Sequence, residues 1–193
     1  MSTDTRARIL TAALSAFSER GYGASVDEIA RLAGVVKQTL YHHFGSKEAL
    51  FHEAIKGLAE ELLISLEPPG TGLRENLLRF ARLYRAKTLS VQGLALHRMM
   101  VAESARFPEL SRAVFEAACS VAWSGLAQVL RRAMERGELR RDDPDFAAEM
   151  LISMLSGLER NRRLHGVAEG PAEGAAGRVE QIVDCFLRAF APT

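Results

Sequence analysis

The chain has 193 residues, 48% of them apolar and 25% charged, with 25 Lys and Arg against 24 Asp and Glu. That balance excludes a disordered or strongly basic chain and fits a globular protein with a real core, in one large domain or two small ones at ~100–200 residues each. The net charge gives no bulk sign of a nucleic-acid partner, yet from Arg31 to Lys47 there are three basic residues, two His and no acid, a local positive stripe.

Helical periodicity recurs along the whole chain, and no convincing alternating strand appears. Ile9, Ala13, Leu14 and Phe17 stripe a first helix that Gly21 ends. Ser25 opens a second with Glu28 at capping-box spacing, and Gly34 stops it. Val36 to Phe44 is predicted as a third, short helix, and Ser46 caps a fourth running to about Leu66. The "EPPGTG" breaker, Glu67 to Gly72, is the predicted boundary segment. Beyond it come Leu73 to Leu89, Val91 to Ala105 and Pro108 to Arg136. Asp143 then caps a helix with Pro144 at its first position, ending near His165. A Gly- and Ala-rich connection precedes the last helix, Arg178 to Phe190.

Several functions find no support. The longest uncharged run, Ala117 to Leu130, is 14 residues, short of the ~18 of a membrane span. "ILTAALSAF" is helix-periodic and is not a signal segment. Cys119 and Cys185 read as reduced, buried thiols, so a soluble cytoplasmic chain without membrane contact is expected. His42 and His43 diverge on a helix and make a poor metal pair. "HEAIK" at His52 has Lys56 where a zinc-protease helix needs its second His. No Gly-x-Ser-x-Gly elbow or phosphate-cradling Gly-Lys motif occurs, so neither enzyme activity nor a cofactor or metal is expected.

The short third helix carries the chemistry. On a wheel of roughly 100° per residue, Val36, Leu40 and Phe44 face a core. Lys37, Gln38, Tyr41 and His42 fall opposite, with Thr39 and His43 at the flanks. The preceding "IARLAGV" offers small residues for a tight crossing, and the pair reads as a helix-turn-helix whose second helix enters the major groove. Gln pairs bidentately with adenine and Lys reaches guanine acceptors. Thr39, His43 and Lys47 are placed to donate to phosphates, beside the free amides of the helix that Ser46 opens.

With those residues in view, "ILTAALSAFSERGYGASVDEIARLAGVVKQTLYHHFGSKEALF" resembles the DNA-binding head of the TetR family of bacterial transcriptional regulators. The motifs "G-Y", "S-V-x-x-I-A", "A-G-V", "T-L-Y-x-H-F" and "S-K-E-A-L" stand in the family's order. "MMVAESARFPELSRAVFEA" resembles the AefR-like subgroup. The resemblance implies an all-α homodimer. Residues 1–50 would form a helix-turn-helix domain on double-stranded operator DNA, with Ser25 among its contacts. Residues 51–193 would form a larger helical domain for effector binding and dimerisation. Two departures stand out: Val36 replaces the customary Ser or Ala cap, and the "GYGAS" loop is one residue shorter.

In the body, Phe80, Tyr84, Leu94, His97, Met100, Glu103, Phe115, Cys119 and Trp123 are the candidate lining of a pocket for a small apolar or amphipathic effector. Each alone fits an ordinary core or surface role. The last two helices carry Met150, Met154, Leu155 and Leu158, then Val179, Ile182, Val183, Phe186 and Phe190. That is more apolar surface than one core calls for, and a four-helix bundle between two subunits would bury it. The expected function is a ligand-responsive repressor on a palindromic operator. An activator or dual regulator of the same fold is the alternative, as is a helical small-molecule-binding protein that does not bind DNA.

Overall fold

The computed structural model describes residues 2–64, 66, 71–116, 120–167 and 177–192. Its elements are helical throughout, with no strand among the described residues. They are α1 (Ser2–Arg20), α2 (Val26–Ala33), α3 (Lys37–Phe44), α4 (Lys47–Ile64), α5 (Leu73–Thr88), α6 (Val91–Glu103), α7 (Pro108–Phe115), α8 (Val121–Glu135), α9 (Pro144–Leu164) and α10 (Arg178–Ala189). A 3-10 turn, Gly21–Gly23, follows α1. The run predicted as one helix, Pro108 to Arg136, holds α7 and α8, with 117–119 outside the described residues. The two predicted breakers, around 67–72 and 166–177, also lie largely outside them.

The chain packs as two compact units: residues 1–58 with 91–118, and 59–90 with 119–193. In the first, the stripe Ile9, Ala13 and Phe17 of α1 meets Ile29 and Ala33 of α2, Leu40 of α3, and Leu50 and Phe51 of α4. Phe17 packs edge-on against Phe51 at 4.8 Å between ring centres. Full burial of each large side chain contributes roughly 1.5–3 kcal/mol, so this small core seats the two short helices α2 and α3 against α1 and α4. α6, which the sequence places in the body, gives Leu96 and Met99 to this core. Periodicity reveals that a helix has an apolar face, and not which core takes it.

In the second unit, Leu77, Phe80 and Ala81 of α5 pack with Leu126 and Leu130 of α8, Leu151 and Leu155 of α9, and Val183 and Phe186 of α10. Ion pairs Arg74–Asp184 and Arg82–Glu180, each 2.7 Å, link α5 to α10 along the rim of that core. The apolar surplus expected on the last two helices is smaller than the sequence implies. Leu155, Ile182, Val183, Phe186 and Phe190 are buried inside this unit, because α5 and α8 cover the same face. Met150, Met154 and Val179 are half-buried against it, and Leu158 is left 63% exposed. Cys185, expected to be buried, is exposed on α10, and Cys119 lies outside the described residues.

α9 is not continuous. Gly157, with φ 27° and ψ −134°, breaks it just after Leu155 and Ser156. Only glycine enters that backbone region freely.

Candidate nucleic-acid interface

The candidate interface is built from two eight-residue helices and the turn between them. Ser25 caps α2, its hydroxyl accepting the backbone N–H of Glu28 at 3.1 Å. At the other end Gly34 adopts φ 64°, its N–H donating to Ala30 and Arg31, and the Val35 N–H returns to the Ala30 carbonyl at 2.9 Å. This left-handed stop satisfies the last carbonyls of α2 and turns the chain sharply into α3. Arg8 of α1 reinforces it, its Nη2 donating to the carbonyls of Ala33 (2.5 Å) and Gly34 (3.2 Å).

α3 is seated by Leu40 and Phe44, both buried, with the Arg6 guanidinium 5.3 Å above the Phe44 ring. Lys37, Gln38, Tyr41 and His42 are exposed, and Thr39 and His43 are half-buried, as the wheel has them. Val36, expected on the core side with Leu40 and Phe44, is instead 68% exposed because it precedes the helix in extended conformation. Val36 stands at the N-cap in extended conformation and makes no side-chain cap. The first amides of α3 therefore lack the usual hydroxyl or carboxylate partner. Gly45 closes α3 with its N–H on the Tyr41 carbonyl (2.8 Å), and the Ser46 hydroxyl accepts the Ala49 N–H at 3.0 Å to start α4.

Lys47 is more engaged than expected. Its ammonium donates to the Tyr22 carbonyl and lies 4.5 Å over the Tyr22 ring, and burial pushes its pKa down. The Tyr22 hydroxyl in turn donates to Glu48 at 3.0 Å. Burial, then that bond, raises the tyrosine pKa. Glu48 is held below the usual carboxylate range, first by its own backbone N–H and then by Tyr22. Lys37 pairs with Asp27 of α2, Nζ to Oδ2 3.1 Å. The hydrogen bond and charge of Asp27 raise the lysine pKa. Sequence reading did not single out Arg8, Tyr22, Asp27 or Glu48. Asp27, ten positions before Lys37, could have been found by testing which acid of α2 the turn brings alongside. The rings of His42 and His43 sit edge-on at 5.8 Å, and among the described residues no three metal-ligating side chains cluster.

The effector candidates divide between the units. In the first, Met100 and Glu103 line a small, largely apolar pocket with Tyr22, Phe51, Met99 and Phe107. Leu94 is buried, His97 half-buried and Phe115 58% exposed. In the second, Phe80 is fully buried and stacked on Tyr84 at 5.7 Å, whereas Trp123 is 39% exposed with its indole N–H on the Asp145 carbonyl at 2.9 Å. Cys119 lies outside the described residues. The apolar candidates thus range from full burial to the surface, because aromatic content alone does not distinguish a lining from a core.

The second unit also holds a buried cation that the sequence did not announce. Arg85, 4% exposed, donates Nη1 to the Leu155 carbonyl (2.6 Å) and Nη2 to Glu159 (2.5 Å), and Arg163 pairs with Glu159 from the next turn at 3.0 Å. Burial pushes Glu159 up, but hydrogen bonds and charge from Arg85 and Arg163 outweigh it, so its carboxyl titrates below the usual range. This network fastens α5 to both sides of the Gly157 break.

Comparison with known proteins gives the family of the chain. Residues 9–54 match the family description "bacterial regulatory proteins, tetR family", and residues 75–192 match "AefR-like transcriptional repressor, C-terminal domain". The transcriptional regulator UidR of Escherichia coli K12 is 30% identical over 152 residues, 78% of this chain and 76% of UidR. Among solved structures, a TetR-family regulator from Mesorhizobium loti superposes with TM-score 0.79 at 28% identity, covering 99% of this chain and 98% of the other. The flavonoid-responsive regulator FrrA gives TM-score 0.72 at 34% identity over 97% of both chains. No helix among the described residues is long and apolar enough to cross a membrane.

Proposed function

The chain belongs to the TetR family of bacterial transcriptional regulators, with a body of the AefR-like type, and on that premise we propose that it is a cytoplasmic, ligand-responsive repressor. Residues 1–50 bind a palindromic operator, and residues 51–193 bind the effector and pair two subunits. The observation that carries this reading is the exposed face of α3, where Lys37, Gln38, Tyr41 and His42 stand together on a helix anchored by Leu40 and Phe44. A two-turn helix that served only solubility would have no use for so many base-reading groups. Gln38 and Lys37 read base edges, Tyr41 and His42 contact bases or sugars, and Thr39, His43 and Lys47 hold phosphates, with Ser25 at the start of α2.

Dimerisation proceeds through the outer faces of α9 and α10, with Leu158 as the exposed apolar residue at the centre of the proposed contact. A two-fold dimer doubles the DNA contacts and explains a palindromic site. The effector is an aromatic amphipathic molecule, a reading favoured by the name of FrrA. It acts by binding the DNA-incompetent arrangement better than the competent one, since equal affinity shifts nothing. Selection of bound duplexes from a random pool tests the DNA reading: a symmetric consensus supports it, and recovery of no sequence preference overturns it. Flavonoids titrated against the selected site test the effector class, and operator affinity falls by roughly 5–150-fold at saturation for a coupled ligand.

A further inference from the structure

We infer that Asp27 is a specificity-determining residue: by holding the Lys37 ammonium at the start of α3 it turns that lysine from a phosphate neutraliser into a reader of base edges. The inference rests on the DNA-binding reading of α3 given above. Lys37 is the first residue of α3, and it is the N-terminal residues of a recognition helix that reach base edges. Its Nζ lies 3.1 Å from Asp27 Oδ2, and both side chains stay open to solvent, at 49% and 69% exposure. The pair is therefore available to DNA while intact.

A lysine without such a partner is a point charge on a flexible stem, and it follows phosphates whatever the sequence. Asp27 changes both properties. It confines the stem to one region beside the turn, and it cancels most of the lysine's charge at phosphate distances. The ammonium keeps two further N–H donors, enough for the paired acceptors O6 and N7 of a guanine. Asp27 also repels any backbone phosphate that comes close in a wrong register, and a built-in repulsion of this kind sharpens discrimination. An acid in the first turn of α2 suits the helix dipole. That accounts for an acid at the position, and Glu28 next to it already fills the role while pairing with Arg20 at 2.8 Å. It does not account for the reach of Asp27 to the reading helix.

The test compares Asp27→Asn with the wild-type chain on two probes, the duplex recovered by random-pool selection and a duplex of the same composition with scrambled sequence. Asn preserves the start of α2, which circular dichroism verifies. With Asp27→Asn, affinity for the scrambled duplex rises several-fold, and the slope of log K against log salt steepens by about 0.9, one additional phosphate contact. The selected site gains less, so the specificity ratio falls. In a Lys37→Gln background the same substitution changes slope and ratio clearly less, because only the repulsion by Asp27 itself is then removed. An unchanged slope and ratio in Asp27→Asn, or an equal change in the Lys37→Gln background, overturns the inference and leaves the DNA-binding reading standing. Failure of the wild-type chain to bind either duplex removes that reading and this inference together.

Discussion

Replacing Gly34 with Ala tests whether the turn that aims α3 is held by backbone conformation and by Arg8. At φ 64° an L-residue pays about 1–2 kcal/mol in steric strain. The added Cβ would also lie 2.9 Å from Arg8 Nη2. That nitrogen ends a flexible side chain and gives way, which weakens its bonds to the Ala33 and Gly34 carbonyls, at about 0.5–1.5 kcal/mol each. The lower entropy of an unfolded Ala chain returns about 0.4–1 kcal/mol. The net loss is about 2 kcal/mol, or a fall in melting temperature of about 4–8 °C for a chain of this size. Thermal unfolding followed by circular dichroism measures it. Gly34→Asn, which tolerates the left-handed region, costs less than Ala. The double variant Arg8→Ala with Gly34→Ala loses less than the sum of the singles, because the clash and the lost bonds share one guanidinium. A Gly34→Ala chain melting within about 1 °C of wild type would refute the account of the turn.

The other expectations follow the same logic. Arg85→Met leaves the Leu155 carbonyl without its donor and the Glu159 carboxylate with Arg163 as its remaining cation, and costs about 3 kcal/mol by urea titration. Because the folded-state pKa of Glu159 is depressed, its contribution is complete above the ordinary glutamate pKa and fades as pH falls from there through the folded value. Glu159→Gln flattens that acid limb in urea midpoints measured between about pH 6 and 3, and an unaltered limb counts against the network. Leu158→Glu keeps the fold and shifts sedimentation toward monomer, whereas Leu155→Glu, a charge placed in a filled core, unfolds the second unit. Gln38→Ala loses about 1–3 kcal/mol on the selected site and relaxes preference at one or two base pairs.

Most of the head was legible because its signals are local. Caps at Ser25 and Ser46, the stop at Gly34 and the inward pair Leu40 and Phe44 are written within a few residues of the structures they make. What stayed hidden depends on partners far along the chain. Lys47 looks like a free cation in sequence, and only the fold brings Tyr22 beneath it. Arg85 looks like one surface arginine among several on α5 until Leu155 and Glu159 arrive, 70 and 74 positions later. The stripe on α10 is apolar as read, and its buried residues pack within the second unit, since period alone cannot tell a face bound for another subunit from one taken by its own core. The effector candidates lie at every depth of both units for a related reason. An aromatic side chain lines a pocket, fills a core or lies on the surface with the same letter in the sequence.

Gly157 uncouples tolerance to mutation from solvent exposure. The residue is exposed, and a Cβ placed on it would meet nothing within 4 Å. By the rule that open surface accepts change, a saturation scan should pass over it. Its φ of 27° and ψ of −134° oppose that rule, because any other residue must bear the strain or straighten α9. Straightening would re-phase every side chain beyond the break and swing Glu159 and Arg163 away from Arg85. A sensitive position here would look like a binding hot spot on a surface map. Its cause would lie beneath the surface, in the phasing of one helix against a buried arginine.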